Sequence, residues 1–162
     1  NNFSDLAIPL LVVATDLETG NEVVISEGNL NKALQATFAV PGIFPPVKLG
    51  DKYLIDGGVA NPTPVSVIRP RADVVIGVDL IMRREAKLEN PSMVTTLMQS
   101  YEIIRTQGGK AKLASDDSTV MIEPELRGTI DSFKFYDIVK FIESGEQAAR
   151  EALPRIRKLL KA

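Results

Sequence analysis

Lys52-Tyr53-Leu54-Ile55 is a short apolar and aromatic run that ends abruptly in Asp56-Gly57-Gly58. Residues of this kind predict a strand, and the two glycines predict that it closes in a turn. A carboxylate at the end of a strand lies where α/β sheets usually carry their sites. The glycines permit positive φ and close backbone approach, so another group can come near that carboxylate. Taken by themselves, the three residues first of all describe a turn, since Asp and Gly dominate turns for mechanical reasons.

Working outward, Val47-Lys48-Leu49 and Gly50-Asp51 precede this strand and predict a hairpin with a tight turn. Before them, Val40-Pro41-Gly42-Ile43-Phe44-Pro45-Pro46 is a stiff, non-helical loop. Asn29 is placed to cap a helix whose apolar positions are Leu30, Ala33, Leu34 and Phe38. Ile8 to Thr15 reads as a buried strand that returns through Asp16–Asn21 into Glu22-Val23-Val24-Ile25. After the glycines, Asn61-Pro62-Thr63-Pro64 leads into a short helical turn, and Asp73 to Asp79 predicts a buried parallel strand. Val94, Leu97, Met98, Tyr101 and Ile104 make a helix face, with Met93 and Met98 assigned to its core. Thr119 to Ile122 is a further strand. A last helix carries Ile138, Phe141, Ile142, Ala148, Ala149 and Ala152 on one face, and Pro154 should kink or restart it. Strands alternating with helices make an α/β layered architecture, and the hairpins make its sheet mixed.

Composition narrows the chemistry. The chain of 162 residues has a net charge of -2, which supplies no basic footprint for nucleic acid. It has neither cysteine nor histidine, so it cannot by itself build a thiol nucleophile, a Ser-His-Asp triad or a Cys/His metal site. No metal and no cofactor is expected. Asp116-Asp117 lacks the alternating ligands of a Ca²⁺ loop. The longest apolar run, Ala7 to Ala14, is too short to span a membrane and is interrupted by Pro9. Nothing at the N-terminus reads as a signal peptide, and a cytoplasmic location is expected.

The wider string Ala36-Thr37-Phe38-Ala39-Val40-Pro41-Gly42-Ile43-Phe44-Pro45-Pro46, followed by Asp56-Gly57-Gly58-Val59-Ala60-Asn61-Pro62-Thr63-Pro64, resembles the patatin-like phospholipase family, in particular the bacterial and archaeal members related to neuropathy target esterase. The likeness extends to Ala14–Gly20, to Ala72–Asp79, to Glu123–Gly128 and to Ile142-Glu143-Ser144-Gly145. It implies a three-layer α/β/α fold with a mixed, mostly parallel sheet, incomplete at its N-terminal side. Residues 1–162 would then be the C-terminal portion of a single patatin-like domain.

The resemblance implies a serine acyl hydrolase with a Ser-Asp dyad, acting on a phospholipid, a lysophospholipid or another carboxylic ester. Asp56 matches the family's dyad aspartate, with Gly57, Gly58 and Asn61 as supporting motif residues and Phe44 as a candidate wall of the acyl pocket. The family's G-x-S-x-G elbow and Gly-rich oxyanion loop are both absent from this sequence. The nucleophile is therefore expected from the N-terminal part of the same domain or from another chain, and this chain is expected to be inactive without it. The alternative is a non-catalytic patatin-like module that binds lipid or protein. Peripheral membrane contact is a further expectation, with Arg83, Arg84 and Lys87 as candidate head-group contacts beside their plainer reading as a solvated face. Asp16 and Asp79 read as turn and cap residues ahead of site residues.

Overall fold

The computed structural model describes residues 1–80, 90–112, 118–125 and 138–161. Its elements are β1 (Val12–Asp16), β2 (Glu22–Ile25), α1 (Leu30–Thr37), β3 (Val47–Leu49), β4 (Lys52–Asp56), α2 (Val65–Ile68), β5 (Val75–Val78), α3 (Met93–Lys112), β6 (Thr119–Ile122) and α4 (Ile138–Leu159). Strands and helices alternate, and the fold class is α/β. The described residues form two compact units, one holding Asn1–Pro64 and α3, the other holding α2, β5, β6 and α4.

The first unit is a four-stranded sheet in the order β2-β1-β4-β3. β1 and β2 pair antiparallel from Val12↔Ile25 to Thr15↔Glu22, as a hairpin joined by a tight turn requires. β3 and β4 form the second hairpin, Val47↔Leu54 to Leu49↔Lys52, and Gly50 takes φ 60° in its turn. β1 and β4 close the sheet antiparallel through Ala14↔Asp56. β1 has a neighbour on each side, and all five of its residues are buried.

α1 begins where Asn29 caps it, its Oδ1 accepting from the Lys32 N–H at 3.0 Å. Leu30, Ala33 and Ala36 form its buried face and pack with Phe3, Val12, Ala14, Ile25 and Leu54 into one core. The alanines bring the helix close to the sheet. This core holds β1 and β4 in register, and it is that register which sets Asp56 beside the middle of β1.

The second unit contains the parallel pair β5–β6, Val75↔Thr119 to Val78↔Ile122. Among the described residues three pairings are antiparallel and one is parallel, so the sheet content is mixed but not mostly parallel. The short connections decide this: tight turns between β1 and β2 and between β3 and β4 permit only antiparallel return. β5 is parallel as expected but half-buried. Val75 and Gly77 turn inward, while Ile76 and Val78 are exposed.

Two helix expectations change. α4 runs unbroken through Pro154, with Ile156 buried beyond it, so the proline costs one backbone N–H without dividing the helix. On the predicted α3 face only Tyr101 is buried; Val94, Leu97 and Ile104 are exposed, and Met93 is 87% exposed rather than part of a core. Among the described residues, no helix is long and apolar enough to cross a membrane.

Candidate functional site

Asp56 is the last residue of β4, and three hydrogen bonds place it. Its N–H donates to the Ala39 carbonyl at 3.1 Å. Its own carbonyl accepts from the Thr15 hydroxyl at 2.8 Å. Its side-chain Oδ1 accepts from the Gly58 N–H at 2.7 Å, turning the carboxylate back over the start of the next turn. The residue is half-buried. A carboxylate with a fixed rotamer and one face toward open space can accept a further donor.

The glycines are there for close approach. Neither Gly57 nor Gly58 adopts positive φ. Instead, a Cβ on Gly57 would stand 2.2 Å from the Val13 carbonyl oxygen, and a Cβ on Gly58 would meet Asp56 Oδ1 at 3.0 Å and Arg105 Cδ at 3.1 Å. The chain after Asp56 can therefore lie against β1 on one side and admit Arg105 on the other. Thr15 also accepts from the Ala60 N–H at 3.1 Å, binding the far end of the turn to β1.

Asn61 is buried. Its N–H donates to the Gly57 carbonyl at 2.8 Å, and its Nδ2 donates to Glu22 Oε2. It fastens the turn after Asp56 to β2. A cavity of about 350 Å³ opens here, lined by Val13, Thr37, Asp56, Gly57, Gly58, Asn61 and Arg105 among others. That volume is at the lower end of sites that take small organic ligands.

Asp56, Gly57, Gly58 and Asn61 thus come together at one cavity. Phe44 does not line it: that ring is 48% exposed and packs edge-on against Phe38, centroids 5.7 Å apart. Asp16 is a turn residue, as expected. It accepts from Lys52 Nζ at 2.7 Å and from the Glu18 N–H at 3.1 Å. The Lys52 hydrogen bond, then the Glu18 N–H, hold its carboxyl below the usual value. Asp79 is buried, with its N–H on the Ile122 carbonyl. Arg83, Arg84, Lys87, Asp116, Asp117 and the stretch 126–128 lie outside the described residues.

Two residues of α3 join the site without having been singled out from the sequence. Arg105 lines the cavity, and its Nε stands 3.7 Å from Glu102 Oε2. Tyr101, one helical turn earlier, is 9% exposed. Its hydroxyl is pushed up to about 12, first by burial and then by the negative charge of Asp56, with Arg105 opposing. The helical spacing had marked Tyr101 only as one of five apolar positions.

The sequence profile of the family described as patatin-like phospholipase matches residues 1–68, which include both hairpins, the cavity turn and Asp56. An uncharacterized NTE family protein of Mycobacterium tuberculosis is 27% identical over 166 residues, covering 87% of this chain and 28% of that protein. A second from the same organism is 40% identical over 76 residues, 46% of this chain and 21% of that protein. The mouse patatin-like phospholipase domain-containing protein 7 is 33% identical over 89 residues, 53% of this chain and 7% of that protein. The chain spans less than a third of the length of each of these relatives.

Proposed function

We propose that this chain, whose residues 1–68 match the patatin-like phospholipase family and which is similar to NTE family proteins, carries the Asp half of a Ser-Asp dyad in a lipid acyl hydrolase, with the serine supplied by residues outside this sequence. On this reading residues 1–162 are the C-terminal portion of one patatin-like domain. The substrate is a phospholipid, a lysophospholipid or another carboxylic ester.

The observation that carries the reading is the setting of Asp56. Its carboxylate is oriented by Gly58 at the wall of a 350 Å³ cavity. A serine hydroxyl is a weak nucleophile until a base takes its proton. With no imidazole in the chain, Asp56 accepts that proton as the serine oxygen attacks the ester carbonyl carbon. The protonated Asp56 then returns the proton to the departing alcohol as the C–O bond breaks, leaving an acyl-serine. Water repeats the cycle: Asp56 takes its proton, the hydroxide oxygen bonds to the acyl carbon, and the serine leaves with the proton restored.

The test is Asp56→Asn in the complete protein. The substitution keeps shape and can still accept from Gly58 N–H. Ester hydrolysis should fall on the order of 10²–10⁴-fold, the usual worth of a positioned general base, while thermal stability stays close to the parent. Undiminished turnover removes Asp56 from the mechanism. A serine-reactive fluorophosphonate probe adds a second readout. Labelling supports the hydrolase, and failure of the folded, complete protein to label favours the non-catalytic module instead.

A further inference from the structure

The phenol of Tyr101 lies one helical turn before Arg105, which lines the Asp56 cavity; it feels the charge of Asp56 and has no assigned task. Its hydroxyl is buried and has no hydrogen-bond partner among the described residues. A buried donor left unpaired costs free energy, and native structures keep few of them without a reason. Asp56 is the nearest reason. Among the described residues its carboxylate accepts at Oδ1 only, from Gly58 N–H, whereas a carboxylate has room for about four donors.

We propose that in the complete protein Tyr101 is a positioning residue: its hydroxyl, unpartnered among the described residues, turns to donate to the Asp56 carboxylate and holds it aimed at the hydroxyl of the incoming serine. The inference rests on the dyad reading given above. Three observations support it. The face of α3 that carries Tyr101 is set against the site by neighbours on either side, with Leu97 and Met98 within about 3 Å of where a Gly42 Cβ would lie, and Arg105 equally near Gly58. The phenol's affinity for its proton is raised to about 12 by burial and by Asp56, so it remains a neutral donor throughout the neutral range. A neutral donor also suits the task better than a cation. An Arg-carboxylate pair would hold the base in its charged form and blunt its basicity, and the ion pair found for Arg105 among the described residues is to Glu102, not Asp56.

The charged groups around Asp56 are otherwise engaged. Asp16 on β1 is paired with Lys52 on β4, Glu22 on β2 holds Asn61, and α1 presents the neutral Thr37, whose hydroxyl donates to the Val13 carbonyl. Arg105 remains as the cation beside the phenol. A change confined to the Tyr101 hydroxyl is therefore read out at Asp56.

The experiment compares the complete protein with its Tyr101→Phe variant on a soluble p-nitrophenyl ester. Loss of the hydroxyl should lower kcat about tenfold, the worth of one hydrogen bond to a charged group, with KM unchanged. The acidic limb of the kcat/KM profile should move up by about half a unit or more, because a carboxylate that loses a donor holds its proton more tightly. Wild-type kcat and an unmoved limb overturn the proposal. Should Tyr101→Phe destabilise the fold, 3-fluorotyrosine placed at position 101 decides the matter. It keeps the shape and makes a stronger donor, so the limb should move down; an unmoved limb again overturns the proposal. Asp56→Asn separates the two levels. Full activity there defeats the dyad itself, whereas an inactive Asp56→Asn beside a wild-type-like Tyr101→Phe defeats only the role of the phenol.

Discussion

Gly57 lies flat against the backbone of Val13, so close that any Cβ would stand 2.2 Å from the Val13 carbonyl oxygen. That oxygen is not free to retreat, since it accepts from the Thr37 hydroxyl at 2.6 Å. Gly57→Ala must therefore displace either β1 or the turn that follows Asp56. We expect a loss of about 3 kcal/mol, the scale of overpacking a tight interior, read as a lowered midpoint in urea melts. Hydrolysis should fall by more than stability explains, because the turn carries Gly58, which orients Asp56.

Thr15 bridges the same two segments from the other side. Its hydroxyl donates to the Asp56 carbonyl and accepts from the Ala60 N–H. Thr15→Val keeps the volume and deletes both bonds. The expected cost is about 1–3 kcal/mol, measured by thermal or chemical denaturation. Thr15→Ser retains the hydroxyl and should recover the larger part of the loss. A Thr15→Val variant as stable as the parent, beside a destabilised Thr15→Ser, would mean that packing of the methyl group, not hydrogen bonding, is what Thr15 supplies.

Acid sensitivity should trace in part to Asp16. Its folded-state pKa is depressed below 3.8, chiefly by the hydrogen bond from Lys52. A depressed carboxyl contributes stability that is present above its unfolded value and lost as pH falls through the folded one. The melting temperature should therefore decline as pH drops below about 4. Lys52→Met removes the first-named cause, so its decline over that window should be shallower than the parent's. Parallel pH profiles for the two proteins would refute this assignment.

Much of the site could be read from residue order, and the reasons are local. Asn29 caps α1 because an Asn side chain before an apolar helical pattern has an N–H within reach. The Gly50-Asp51 turn and the Asp16–Asn21 turn follow from the steric freedom of their residues. Asp56, Gly57, Gly58 and Asn61 are near neighbours in the chain, so one turn suffices to gather them. Tyr101 and Arg105 belong to a distant helix. Their helical spacing says which residues share a face but not what that face meets, and Tyr101 was indistinguishable there from Val94 or Ile104. Burial misled in the same way at Ile76 and Val78: an unbroken apolar run suits a strand covered on both faces, yet those two side chains are exposed. Phe44 was placed near the cavity by its neighbours in the string, but its ring turns to Phe38 instead.

The three anchors of Asp56 all come from the first 64 residues: Ala39 and Thr15 hold its main chain, and Gly58 holds its side chain. Among the described residues, α3 contributes none of these three hydrogen bonds. An engineer could thus vary the strongly exposed α3 positions Met93 and Val94, which do not line the Asp56 cavity, to adjust surface properties while the main chain of the proton acceptor stays fixed.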